Sequence, residues 1–215
     1  MIQAVLFDLD GTLTNSDKVH FQVFQNYFAQ HGIPLDGPLY RQKISGRQNT
    51  AILADFLPEL SAEAGQAFSA EKEKTFRQLA AGQLTPLSGL LELLQQLQAK
   101  DIAAAVVTNA PPENASFMLK ELKLSDRFSP VIIGDTLPRG KPDPLPYQTA
   151  LDQLGLTAKE AIAFEDSRAG IRSAVGAGIK TLGMTTTHTA EELLEVGVVK
   201  AIADFTDPYI QTLLR

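Results

Sequence analysis

The chain has 215 residues, 44% of them hydrophobic and 20% charged, which suits one large domain, or a core domain plus a smaller unit, with a substantial buried core. A formal charge of −6 argues against a nucleic-acid backbone or an anionic membrane as the main partner, because both need concentrated Lys and Arg. The absence of cysteine excludes disulfides, thiolate metal sites and a cysteine nucleophile.

The N-terminus has no basic leader with a long apolar stretch behind it, and no later run approaches membrane-spanning length, so a cytoplasmic protein is expected. The first element is a short apolar run, Ala4-Val5-Leu6-Phe7, which ends abruptly in Asp8 and Asp10 and then Gly11-Thr12. Such a run reads as a buried strand that delivers two carboxylates to its open end. Side chains alternate along extended chain, so Asp8 and Asp10 lean towards one site while Leu9 packs the other way.

Asp17 to His31 follows with Val19, Val23, Phe24, Tyr27 and Phe28 at helical spacing, and Gly32 stands where a helix stops. Further helical periodicity covers Thr50 to Leu57 and Ser61 to Leu79. No convincing strand interrupts them, so residues 16–82 are expected to form an all-helical insertion, with 1–15 and 83–215 forming an α/β core.

Beyond Pro86 the pattern changes. A helix marked by Leu90, Leu91, Leu94 and Leu97 precedes the apolar run Ile102 to Val107, which ends in Thr108-Asn109. A helix from about Pro112 to Leu122 leads to Val131-Ile132-Ile133, and a helix through Tyr147 and Leu154, stopped by Gly155, leads to Ala161–Phe164 with Glu165-Asp166 at its end. A small-residue helix through Ile171 and Val175 then reaches Lys180–Met184, Thr189 with Glu192 forms a capping box, and Asp207-Pro208 opens a last helix. Strands alternating with helices imply right-handed crossovers and a doubly wound, Rossmann-like parallel sheet covered on both faces. Ligands of such sheets gather at the carboxyl ends of the strands, where Asp8, Asp10, Thr108, Asn109, Glu165 and Asp166 all fall.

This set resembles the haloacid dehalogenase superfamily, in particular its phosphatase and β-phosphoglucomutase-like branch with a small helical cap. Asp8-Leu9-Asp10-Gly11-Thr12-Leu13 is similar to the first motif of that family, Thr108-Asn109 to the second, Lys141-Pro142-Asp143 to the third, and Glu165-Asp166-Ser167 with Gly170-Ile171 to the fourth. The resemblance covers nearly the whole chain and implies Mg²⁺-dependent hydrolysis of a small phosphorylated metabolite, a sugar phosphate or a phosphoglycolate-like ester, by a monomer or weak homodimer.

The chemistry of the residues is consistent with that activity. A phosphate monoester repels a carboxylate, so an Asp attacks phosphorus only where other groups neutralise the phosphoryl oxygens. Mg²⁺ would be held by Asp8, the backbone carbonyl of Asp10, and Asp166. Glu165 is either a further ligand or an acceptor just outside the ligand set, and the second is favoured. Lys141 supplies a compact positive charge, while the Thr108 hydroxyl, nearby backbone N–H groups and Asn109 grip the transferring group. Asp8 would form an aspartyl phosphate, and Asp10 would protonate the departing alkoxide and later take a proton from water.

In the cap, His20 matches a position where β-phosphoglucomutase-like proteins carry a His; it orients a substrate hydroxyl, relays closure, or is a plain polar packing residue. Arg47 can bind a carboxylate or second phosphate, or sit exposed at a helix cap. Lys72 and Lys74 lie in a Glu-Lys-Glu-Lys run that reads as a solvated helix face. Mutases carry Lys just before the matching glycine and Arg three places after it; Ser45 and Asn49 stand here, which favours a phosphatase over a sugar phosphate mutase. A dehalogenase gives Asp10 no task, and a phospho-Asp receiver domain is shorter and has no helical cap.

Overall fold

The computed structural model describes residues 1–214. Strands β1 (Ala4–Phe7), β2 (Ala103–Thr108), β3 (Val131–Ile133), β4 (Ala161–Glu165), β5 (Lys180–Met184) and β6 (Lys200–Ile202) form one sheet in the order β3-β2-β1-β4-β5-β6. Every neighbouring pair is parallel. From β1 the chain winds outward through β2 to β3, then returns to lay β4 on the other side of β1. The direction of winding therefore reverses between β1 and β4, and a crevice opens beyond their carboxyl ends.

Alternation along the strands divides the core. Val5, Phe7, Val106 and Phe164 face helices α5 (Leu90–Ala99), α6 (Pro112–Glu121) and α10 (Tyr209–Leu213), whereas Ala4, Leu6, Ala105 and Val107 face α7 (Leu145–Leu154) and α8 (Arg168–Gly176). At the reversal, Phe7 and Phe164 are register partners whose rings stack with centroids 5.4 Å apart. The next residue on each strand is an acid, Asp8 and Glu165, so this apolar pair fixes the base of a charged site.

Helices α1 (Asp17–Gln30), α2 (Gly37–Lys43), α3 (Asn49–Phe56) and α4 (Ala62–Ala80) lie between β1 and α5, with no strand among the described residues of that stretch. They enclose their own cluster, built on Phe24, Phe28, Tyr40, Ile52 and Phe68. The far end of α4 belongs elsewhere: Phe76 and Ala80 are fully buried in the core of the sheet. Helix α9 (Ala190–Leu194) carries the Thr189–Glu192 capping box expected for it. No helix of the described residues is long and apolar enough to cross a membrane.

Candidate active site

Asp8 and Asp10, from the turn after β1, open into one cavity of about 850 Å³ together with Thr108, Asn109 and Asp166. The cavity is roofed by the inserted helices, so Leu9, buried in the core below, alternates with the two acids as an extended strand end requires.

Lys141 is the buried hub beneath it. Its ammonium donates to Asp8 Oδ1, the Val107 carbonyl and Glu165 Oε1, each at 2.6 Å. Three short charge-assisted bonds use all three of its protons, so the group is held as a fixed point charge. Burial alone would lower its pKa, but Asp8 and Glu165 more than offset that and raise it. Burial, with help from Glu165, pushes Asp8 up to about 7 against the pull of Lys141. Asp166 is raised well above the usual carboxylate range, first by burial and then by Asp8 and Glu165. A cluster of acids that resists ionisation in this way is one that a cation relaxes.

Asp8, Glu165 and Asp166 each bring a carboxylate oxygen within 4.8 Å of the others. Hard oxygen donors of this kind suit Mg²⁺. Glu165 is already engaged at Oε1, where Lys141 and the Tyr147 hydroxyl both donate at 2.6 Å, while its buried Oε2 has no partner. Its carboxylate lies against Gly170 on α8, where an added Cβ would fall 1.8 Å from Oε2. Asp166 is oriented by the Thr187 hydroxyl, and its backbone carbonyl faces His188 Nδ1 at 3.0 Å.

Asp10 has a different setting. Its Oδ1 accepts from the Ser16 hydroxyl at 2.6 Å and from His20 Nε2 at 2.9 Å. Burial pulls Asp10 upward, but His20 and Ser16 outweigh it and leave the carboxyl below its usual range. The Lys72 ammonium faces His20 Nδ1 at 3.3 Å, and because an ammonium only donates, Nδ1 accepts and Nε2 carries the proton. The His20 ring is stacked on Phe76 with centroids 3.9 Å apart. Beyond Lys72 the chain of contacts runs to Glu73 at 2.8 Å, and Glu73 accepts from Asn49 at 2.6 Å and Asn114 at 2.5 Å. A continuous polar network thus joins the tip of β1 to α1, α4 and α6.

Two expected ligand contacts are already committed within the protein. The Asn109 side chain donates to the Gly46 and Lys141 carbonyls and accepts from Lys141 N–H, all at 3.0 Å, so it fastens the Lys141 loop and the inserted helices instead of pointing at a ligand. Arg47 donates to Asp55 at 2.8 Å and to the Lys43 and Ala51 carbonyls, and its guanidinium braces α3 at the cavity rim. Thr108 is buried and its Oγ1 accepts from Ala110 N–H at 2.9 Å.

Residues 5–184 match the haloacid dehalogenase-like hydrolase family. The chain belongs to it. Among relatives, this hydrolase is 35% identical over 211 residues to a validoxylamine A 7′-phosphate phosphatase of Streptomyces hygroscopicus subsp. limoneus, covering 98% of this chain and 99% of that one. It is 30% identical over 191 residues to a β-phosphoglucomutase of Bacillus subtilis, covering 85% and 83%. Among solved structures it resembles CbbY of Rhodobacter sphaeroides in complex with xylulose-(1,5)-bisphosphate, with a TM-score of 0.84, 26% identity and 96% of each chain covered.

Several site residues escaped the sequence reading of this hydrolase. Lys72 was expected on a solvated face, yet it is 6% exposed and its ammonium lies 4.7 Å from the Phe24 ring centroid. The signal was present: Phe68, Lys72 and Phe76 are four apart and share one helical stripe. Tyr147 read as an apolar helix residue, and nothing in its spacing marks the hydroxyl that orients Glu165. Glu73, Thr187 and His188 meet the site only through the tertiary fold.

Proposed function

We propose that this enzyme is a Mg²⁺-dependent phosphatase that hydrolyses a small phosphate monoester, a sugar phosphate or phosphoglycolate-like metabolite, through a phosphoryl group carried on Asp8. The observation that carries the reading is the convergence of Asp8, Asp10 and Asp166 on one cavity, with Lys141 bonded to Asp8 from beneath it and opposite pKa displacements on the two acids of the β1 turn. Pairs of carboxyls pushed apart in this way fit separate nucleophile and acid–base tasks.

Asp8, Asp166 and the Asp10 carbonyl would hold Mg²⁺, with Glu165 next to them as the acceptor that anchors Lys141. When bound, the ion would supply positive charge at the phosphoryl oxygens and favour the ionised form of Asp8. Lys141 fixes the Asp8 carboxylate against the ester. A free Asp8 oxygen attacks phosphorus as the bond to the leaving oxygen breaks, and water then displaces phosphate from Asp8. Asp10 starts ionised; an arriving phosphate dianion raises its proton affinity by like-charge repulsion, so it takes from solvent the proton it passes to the leaving alkoxide. In the second half it receives a proton from the attacking water while His20 and Ser16 hold its orientation. Thr108 and backbone N–H groups line the phosphoryl end. Residues 16–82 act as a cap that excludes water; His20 and Arg47 line its side of the cavity, and a substrate that uses either would draw it from its present partners.

The rival is a sugar phosphate mutase, favoured by the β-phosphoglucomutase likeness. A mutase needs cations in the cap for a second phosphate, and the cap cations nearest this cavity are already engaged: Lys72 with Glu73, Arg47 with Asp55, and Arg77 with Asn114. The deciding test is a panel of phosphorylated metabolites with Mg²⁺, including β-glucose 1-phosphate with its bisphosphate activator. Release of inorganic phosphate, lost at least 1,000-fold in Asp8→Asn with the fold intact, is expected. Isomerisation without release would establish the mutase, and normal release by Asp8→Asn would remove Asp8 as nucleophile.

A further inference from the structure

Three consecutive residues just beyond β5 each grip a segment that carries a residue of the metal site. Thr186 Oγ1 donates at 2.5 Å to the carbonyl of Gly11, the residue after Asp10 in the β1 turn. Thr187 Oγ1 donates to Asp166 Oδ2, and His188 Nδ1 donates to the Asp166 carbonyl at 3.0 Å. The turn that presents them is anchored at both ends. Thr185 donates to the Ile202 carbonyl at the end of β6, from its N–H at 2.9 Å and its hydroxyl at 3.3 Å, and Thr189 caps α9. Thr187 and His188 are buried, so their bonds to Asp166 are shielded from water.

The bond to Asp166 also divides the work of its two oxygens. Oδ2 lies so close to the β1 turn that a Cβ on Gly11 would fall 2.1 Å from it, and the same Cβ would be 3.1 Å from Thr187 Oγ1. That oxygen is turned into the protein, packed between Gly11 and its donor. Oδ1 accepts no hydrogen bond among the described residues and is not sealed from solvent, so it is the oxygen that Asp166 presents to the cavity. The other two acids of the cluster are divided in the same way. Lys141 holds Asp8 Oδ1, and Lys141 with Tyr147 holds Glu165 Oε1.

Donors that each offer one oxygen discriminate between hard cations. Mg²⁺ demands near-octahedral geometry at about 2.0–2.1 Å and keeps several waters, whereas Ca²⁺ takes about 6–8 oxygens at about 2.3–2.6 Å and is often gripped by both oxygens of a carboxylate. We infer that Thr187 is a positioning residue that sets the choice of metal: by holding Oδ2 it confines Asp166 to one-oxygen coordination, which favours Mg²⁺ over Ca²⁺. Thr186 and His188 keep the Asp10 turn and the Asp166 backbone from shifting to admit the larger ion. The inference rests on the Mg²⁺ site proposed above and extends it to a residue outside the ligand set.

Calorimetric titration of MgCl₂ and of CaCl₂ into the EDTA-stripped, dialysed full chain at pH 7.5 gives the ratio of the two dissociation constants without any turnover. In Thr187→Val, which keeps the shape of the side chain and removes the donor, Mg²⁺ is expected to bind at least tenfold more weakly. The preference for Mg²⁺ over Ca²⁺ should fall at least tenfold as well. Thr187→Ser, which restores the hydroxyl, should return both quantities to within threefold of the parent. If Thr187→Val fails to fold, Thr187→Ala gives the same reading. An unchanged ratio in the variant without the hydroxyl, or a changed ratio that Thr187→Ser does not restore, would overturn the assignment. Asp166→Asn separates this inference from the metal site itself. Parental Mg²⁺ affinity in Asp166→Asn would remove Asp166 as a ligand and the role of Thr187 with it, whereas loss of Mg²⁺ there beside a parental ratio in Thr187→Val would remove the role of Thr187 alone.

Discussion

Lys141 shows most directly how one side chain decides the character of the site. Its ammonium stands between two buried carboxylates at 2.6 Å, and removing it leaves Asp8 and Glu165 facing each other without compensation. Breaking a buried pair from one side costs about 3–5 kcal/mol. Lys141→Met should lower unfolding stability by that amount in urea, and Lys141→Arg should not restore it, because a planar guanidinium does not fit a site shaped for three bonds to one nitrogen. A loss under 1 kcal/mol for Lys141→Met would show that the three carboxylate and carbonyl contacts do not hold this region together. At this scale the sequence was informative where residue type alone is unusual, as with two acids ending an apolar run. It was silent where an ordinary core residue turns a polar atom inward, as Tyr147 does, because periodicity reports burial of a side chain and not the partner of its hydroxyl.

Among the elements, the inserted helices meet the core through a loop between α2 and α3. Gly46 there has φ +73°, its carbonyl accepts from Asn109 at 3.0 Å, and an added Cβ would fall 2.2 Å from Ser167 Oγ. Gly46→Ala therefore strains the loop by about 1–2 kcal/mol and also blocks its contact with the core. The expected result is a fall in kcat/KM of at least tenfold with Mg²⁺ affinity unchanged. Ser167→Gly in the same chain removes the opposing atoms at little cost to the α8 cap and should recover part of the loss. Unchanged kcat/KM in Gly46→Ala would mean that this contact has no part in turnover. The long helices α1 and α4 were legible from spacing alone, while α2 was not: seven residues that begin Gly-Pro-Leu-Tyr hold too few turns for a period to emerge. Strand β6 has three residues at the sheet edge and gave equally little pattern.

For the molecule as a whole, alternation of strands and helices was enough to anticipate a doubly wound parallel sheet, but not the order β3-β2-β1-β4-β5-β6, since pairing is settled by tertiary packing such as Phe7 on Phe164. That order crowds Asp8, Glu165 and Asp166 together, and the crowding couples folding to both protons and metal. Asp8, raised from 3.8 to about 7, binds a proton on folding between those values, so the stability it contributes is present at low pH and is lost as pH rises through 7. Asp166 is displaced in the same direction and adds to this slope. Asp10, held below 3.8, has the opposite sign, but its stabilisation is lost only as pH falls through its lowered value. In EDTA, urea unfolding should therefore show stability declining from pH 5 to pH 8. Mg²⁺ held by the ionised carboxylates, as proposed, would compete with their protons; at a concentration 100-fold over its Kd it would add about 2.7 kcal/mol. Most of that gain should appear at pH 8 and little at pH 5, which flattens or reverses the decline. Parallel pH profiles in EDTA and in Mg²⁺ would mean that the ion does not bind through these acids, and the metal site would have to be sought elsewhere.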